Sequence, residues 1–160
     1  MRTPILRPGT AEDAAQVADI WHESWHLAHA GHVPDGLTTA RTHAAFRERT
    51  PGRVDVTTVA EVDGRVVGFT ILDGAELEQL FVTPEQRGSG VAALLLAHAE
   101  ARIAETGHQV AWLAVVAGND RARAFYAKHG WADEGDLPYP VTAGGQDFIS
   151  PCRRYTKRVR

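Results

Sequence analysis

The chain has 160 residues, 44% of them apolar, which is enough to fill one hydrophobic core and matches the size of a single domain. Its formal charge of −3 carries no overall nucleic-acid signature, and no uninterrupted apolar run reaches the length of a membrane span. The single cysteine, Cys152, excludes an internal disulfide and fits a reducing compartment. No basic-then-apolar pattern of a secretory signal opens the sequence, so a cytoplasmic location is expected.

In chain order, Ile5-Leu-Arg reads as a short strand ended by Pro8-Gly9. Thr10 followed by Ala-Glu-Asp puts a capping residue and acids at a helix start, where the peptide dipoles favour negative charge. That helix runs to about Ala30 with Val17, Ile20, Trp21, Ser24 and Ala28 along one side, and Gly31 and Pro34-Asp-Gly36 break it. A second helix is expected over residues 38–49, stopped by Pro51-Gly52. Residues 54–62 and 65–72 read as strands joined by Asp63-Gly64, a hairpin signal. Residues 75–82 form a third strand of this run. A long helix follows a glycine loop and stops at Gly107, and residues 108–116 suit a buried strand. A helix from Asn119 and two late strands around Gly144-Gly145, one from Trp131 and one over residues 147–159, complete the chain. The order β-α-α-β-β-β-α-β-α-β-β describes one mixed α/β domain over residues 1–160 without repeats or long linkers.

Two segments carry chemistry. In Val82-Thr-Pro-Glu-Gln-Arg-Gly-Ser-Gly-Val-Ala92 a strand runs through a glycine loop into a helix. The first backbone N–H groups of a helix lack intrahelical partners, and glycines let a ligand approach them closely, so the arrangement suits a phosphate. Gly88 and Gly90 supply the approach and Arg87 a mobile positive charge. A Gly-Ser-Gly run is also an ordinary turn. The second segment, Asn119-Asp-Arg-Ala-Arg-Ala-Phe-Tyr-Ala-Lys-His-Gly-Trp131, begins on a capping residue and ends on a glycine helix stop.

Together the segments resemble the GNAT superfamily of acetyl-CoA-dependent N-acetyltransferases. Arg87, Gly90 and Ala92 match its pyrophosphate loop. Asn119, Ala122, Phe125, Tyr126 and Gly130 match its later helix, with Trp131 in place of the usual Phe. The resemblance implies the GNAT fold, a mixed sheet whose fourth and fifth strands splay to admit acetyl-CoA between Val82 and Val116. It implies pantetheine contacts at Phe81 and Val82, and a pyrophosphate receptor in the amides of Arg87, Gly88, Ser89, Gly90, Val91 and Ala92. Asn119 would fix the cofactor's arm, cap its helix, or do both. Tyr126 would be the general acid for the departing thiolate; otherwise it is a core aromatic. Glu78, which alternation places on the same strand face as Glu76, would relay the amine's proton; otherwise that face is simply exposed.

In the resembled fold the first helix and its loop border the acceptor pocket, so Trp25, His29 and His32 are candidate lining, against a reading as core and solvated residues. His22, His26 and His29 share a helical stripe, but no cysteine or carboxylate set completes a metal site, and no metal is expected. The cations from Arg153 to Arg160 read as a solvated edge rather than a nucleic-acid surface. The expected activity is acetyl transfer to a primary amine, on a small molecule or a protein, by direct attack in a ternary complex. The competing class is a non-catalytic acyl-CoA-binding module. Relatives that pair make a homodimer a further expectation.

Overall fold

The computed structural model describes residues 3–160. Seven strands form one mixed sheet in the order β1-β2-β3-β4-β5-β7-β6: β1 (Ile5–Pro8), β2 (Thr57–Val62), β3 (Arg65–Asp73), β4 (Glu76–Val82), β5 (Val110–Val116), β6 (Ala132–Ala143) and β7 (Gln146–Arg158). All neighbours run antiparallel except β4 and β5. The β2–β3 turn has Asp63 and Gly64 at φ of 56° and 77°, the left-handed pair that a two-residue hairpin favours.

Helices cover both faces. On one side α1 (Ala14–His29), α2 (Asp35–Ala40) and α3 (His43–Arg49) bury Trp21, Leu37 and Phe46 against Val59, Phe69 and Ile71 of the sheet. On the other, α4 (Val91–Glu105) presents a stripe of Val91, Leu95, Ala99 and Ile103, and α5 (Asp120–Lys128) adds Tyr126 beside Trp131 and Tyr155. Among the described residues, no helix is long and apolar enough to cross a membrane.

Three elements depart from the sequence expectation. The first helix begins with a 3-10 turn at Ala11–Asp13, where the Asp13 carboxylate accepts from Thr10 N (2.8 Å) and from Arg7 of β1. The single helix expected over residues 38–49 is two. Arg41 leaves the helical region (φ −84°, ψ 63°), and Thr42 caps a new start by accepting from Ala45 N (3.0 Å). The strand expected from residue 54 starts at Thr57, because Thr50–Val56 coil into 3-10 turns held by Thr50 Oγ1 on Phe46 O (2.6 Å) and Thr57 Oγ1 on Arg53 O (2.7 Å).

The C-terminal cations are tied into this framework. Arg153 pairs with Asp133 and Asp136, Lys157 with Glu100, and the Arg154 guanidinium lies 4.6 Å from the Trp112 ring centre.

Candidate active site

β4 and β5 share one register pair, Glu76 with Trp112, and then part. β5 keeps its pairing with β7 along its whole length, so the gap opens on the β4 side. Thr83 N donates to Val67 O (2.8 Å), and in an antiparallel ladder the bonding residues alternate. In the Phe69–Phe81 register, Phe81 therefore bonds towards β3, and the N–H and C=O groups of Leu80 and Val82 turn to the gap. Phe81 itself lines the cleft, with its backbone taken up by the sheet and its ring packed on Phe69.

The gap belongs to a cleft of about 930 Å³ that runs from the glycine loop to the α1–α3 face. At the loop end, Gly90 caps α4 at φ 91°, a conformation that costs a side chain dearly and glycine nothing. Arg87 N and Ser89 N bond back to Pro84 O and Gln86 O, and Val91 N meets Ser89 Oγ at 3.4 Å. Val91 itself is core, against Ala60 and Leu95. Among the described residues the amides of Gly88, Gly90 and Ala92 make no such bond, and these three residues line the cleft with Arg87. Asn119 also lines the cleft while its Oδ1 accepts from Ala122 N (3.2 Å), so the capping role is filled.

Tyr126 lies in the cleft wall between Phe125 and Trp131, 8% exposed, and burial pushes its phenol above the ordinary range. It is therefore protonated at neutral pH, as a proton donor must be. Cys152 lines the same cleft, but burial raises its thiol and Sγ donates to Ser150 Oγ (3.4 Å), so no thiolate nucleophile is available.

Carboxylates and guanidiniums occupy the far end. Carboxylate oxygens of Asp73, Glu76 and Glu78 lie within 4.8 Å of one another. The β4 bulge opposite Ile71 and Leu72 leaves Glu78 unpaired in the ladder and turns it towards α3. There it forms an ion pair with Arg53 and lies 3.8 Å from Arg49. Glu78, expected to relay the amine's proton, is thus held by two guanidiniums. Glu76, 7% exposed, forms no ion pair with a guanidinium among the described residues and accepts from Tyr139 Oη (2.8 Å). Burial raises it above the usual carboxylate range, the Tyr139 bond opposes this, and Glu78 and Asp73 add to it. Sequence reading missed Glu76 and Tyr139; the period-two alternation that paired Glu76 with Glu78 was the available signal.

Trp25 and His29 line the cleft with rings stacked at 4.5 Å. His29 Nδ1 donates to Trp25 O (2.8 Å), and burial lowers its pKa to about 4, so it is neutral at pH 7. His32 stands apart from the lining and lies on Gly118, where its ring fills the space an added Cβ would take. Within the histidine stripe, His26 donates to Arg41 O as His29 does to Trp25 O, and the His22 ring packs on that of His26.

The model of the family described as Acetyltransferase (GNAT) family matches residues 15–131, which span every element of this cleft up to Trp131. The chain belongs to the GNAT acetyltransferase family. An uncharacterised N-acetyltransferase of Mycobacterium tuberculosis is 34% identical over 119 residues, 71% of this chain and 74% of that protein. A GCN5-related N-acetyltransferase from Rhodopseudomonas palustris superposes with a TM-score of 0.77 at 27% identity, over 99% of this chain and 97% of that one. The PaiA N-acetyltransferase of Thermoplasma acidophilum, solved with coenzyme A, gives 0.75 at 22% identity, over 98% and 99%. The GNAT fold, with its splayed fourth and fifth strands, is thus the architecture of this chain. The GNAT match ends at Trp131, so Tyr139, Cys152 and the β6–β7 hairpin at the far end of the cleft fall outside it.

Proposed function

We propose that this chain moves an acetyl group from acetyl-CoA to a primary amine by direct attack within a ternary complex. The observation that carries the reading is the parting of β4 from β5 beneath a glycine loop, which leaves the backbone groups of Leu80 and Val82 open opposite Asn119 and Tyr126. Pantetheine would pair with those groups as an added strand, and the pyrophosphate would take the amides of Gly88, Gly90 and Ala92. An N–H of Val82 near the thioester carbonyl would stabilise the oxyanion of the tetrahedral intermediate.

The amine nitrogen attacks the thioester carbon, a C–N bond forms, and the C–S bond breaks. An alkylammonium, with a pKa near ~10, must first lose a proton. Glu76, raised by burial and steadied by Tyr139, receives it and passes it to solvent. Tyr126 protonates the departing thiolate and regains a proton from the second one the nitrogen sheds. Amide, CoA thiol and one released proton balance the reaction. Glu78 acts through Arg49 and Arg53, holding them across the cleft end.

Titration of acetyl-CoA into the protein, followed by a thiol-release assay with amines, tests the reading. At about 100 times its dissociation constant, acetyl-CoA should stabilise the fold by ~2.7 kcal/mol, visible as a rise in Tm. Binding with no turnover on any amine would favour the non-catalytic module, and no binding would sink both.

A further inference from the structure

The acceptor end of the cleft holds a positive charge that no carboxylate among the described residues answers. Arg41, at the end of α2, is 8% exposed and lines the cleft. Its backbone is pinned: Arg41 N donates to Leu37 O (3.1 Å), and Arg41 O accepts from His26 Nε2. The guanidinium rests 5.9 Å from the Trp25 ring centre and 6.0 Å from that of Phe46. Among the described residues no carboxylate lies within ion-pair distance of it, and its Nε is sealed from solvent without a partner. Arg7, Arg53, Arg123 and Arg153, by contrast, each hold a carboxylate within 3.2 Å. Burial, and then the neighbouring Arg49, lower the Arg41 pKa to about 10, so the group is still charged at neutral pH.

A buried charge with no counterion carries a heavy desolvation penalty, and chains shed it unless a ligand supplies the missing partner. Charge in this cleft is also divided. Arg41 and Arg49 stand on the helical side, and Glu76 and Glu78 stand on β4. We propose that the acceptor is a zwitterion, a small primary amine that also bears an oxyanion, as an α-amino acid does, and that Arg41 binds the oxyanion. The planar guanidinium fork suits the two oxygens of a carboxylate. The amine then lies towards Glu76 and Tyr139, and Trp25, Leu37 and Val141 offer an apolar wall to the remaining side chain. This inference rests on the acetyltransferase reading above and narrows its acceptor.

The test measures CoA thiol release by the full chain with phenylalanine, leucine and methionine. Each is paired with the amine that lacks its carboxylate and with the amide that neutralises it. The aminophosphonate analogue of leucine separates a need for carboxylate from a need for any oxyanion. At least one oxyanion-bearing member should exceed its neutral partners by about 100-fold or more in kcat/KM, because a site built for a polar group rejects the analogue without it. Arg41→Met should erase that preference by raising the KM of the acid, leaving the KM of acetyl-CoA unchanged, and Arg41→Lys should restore part of it. If Arg41→Met does not fold, the wild-type comparison and Arg41→Lys decide. Neutral amines acetylated as well as the acids would overturn the inference and leave the acetyltransferase intact. So would intact acetyl-CoA binding with no turnover of any oxyanion-bearing member. Failure to bind acetyl-CoA would instead bring down the reaction itself.

Discussion

Two carboxylates two residues apart on β4 meet different fates because their neighbours differ. Glu78 faces Arg49 and Arg53, while Glu76 is buried beside Tyr139. A base must be deprotonated to work, so kcat/KM should fall as pH drops through the raised Glu76 pKa. Glu76→Gln should remove that acidic limb and lower kcat/KM by about 100-fold. Glu78→Gln should keep the limb in the pH–rate profile. An unchanged limb in the Glu76 variant would show that the proton leaves by another route. In the proposed mechanism Tyr126 is the matching acid. Tyr126→Phe keeps the ring in its wall but removes the proton, so kcat should fall by about 100-fold while acetyl-CoA affinity stays within about twofold. An equal loss of affinity would mean the phenol binds cofactor rather than serving the leaving thiolate.

At the scale of the element, the loop and α4 act as one unit. The glycine at φ 91° lets Leu94 N close the first helical bond on Gly90 O, while Gly88, Gly90 and Ala92 line the cleft. An added Cβ on Gly90 meets no protein atom within 4 Å, so a substitution there strains the backbone and crowds only what occupies the cleft. Gly90→Val should therefore weaken acetyl-CoA binding by at least about tenfold in a titration, and lower stability by ~1–2 kcal/mol through the left-handed conformation alone. Unchanged cofactor affinity would remove the loop from the phosphate site. The broken helix at Arg41 shows another side of local structure. Thr42 offers a better start for α3 than a continued helix would, and the break is what turns the Arg41 side chain into the cleft.

For the whole molecule, the single β4–β5 register pair leaves the sheet as two arms joined mainly at one end. The first arm ends on β4 with α4 against it, and the second is built from β5, β7 and β6. A cofactor lying between them would add backbone hydrogen bonds where the sheet lacks its own. Hydrogen exchange at Leu80 and Val82 should slow on adding acetyl-CoA, with Phe81 already protected by β3 in the free protein. Equal slowing across all of β4 would indicate general stabilisation instead of insertion into the gap.

The sequence alone determined the features that depend on near neighbours. The Asp63-Gly64 turn, the glycine loop opening α4, the Asn119 cap and the place of Tyr126 all follow from backbone preference and spacing within about ten residues. These suffice for the family. The tertiary structure alone decided what each charged group meets. Glu76 finds its partner 63 residues away on β6, Glu78 is claimed by an arginine 25 residues upstream, and Arg41 is left with none. Charge in a protein is governed by burial and by partners distant in sequence, and only the folded sheet brings them within reach.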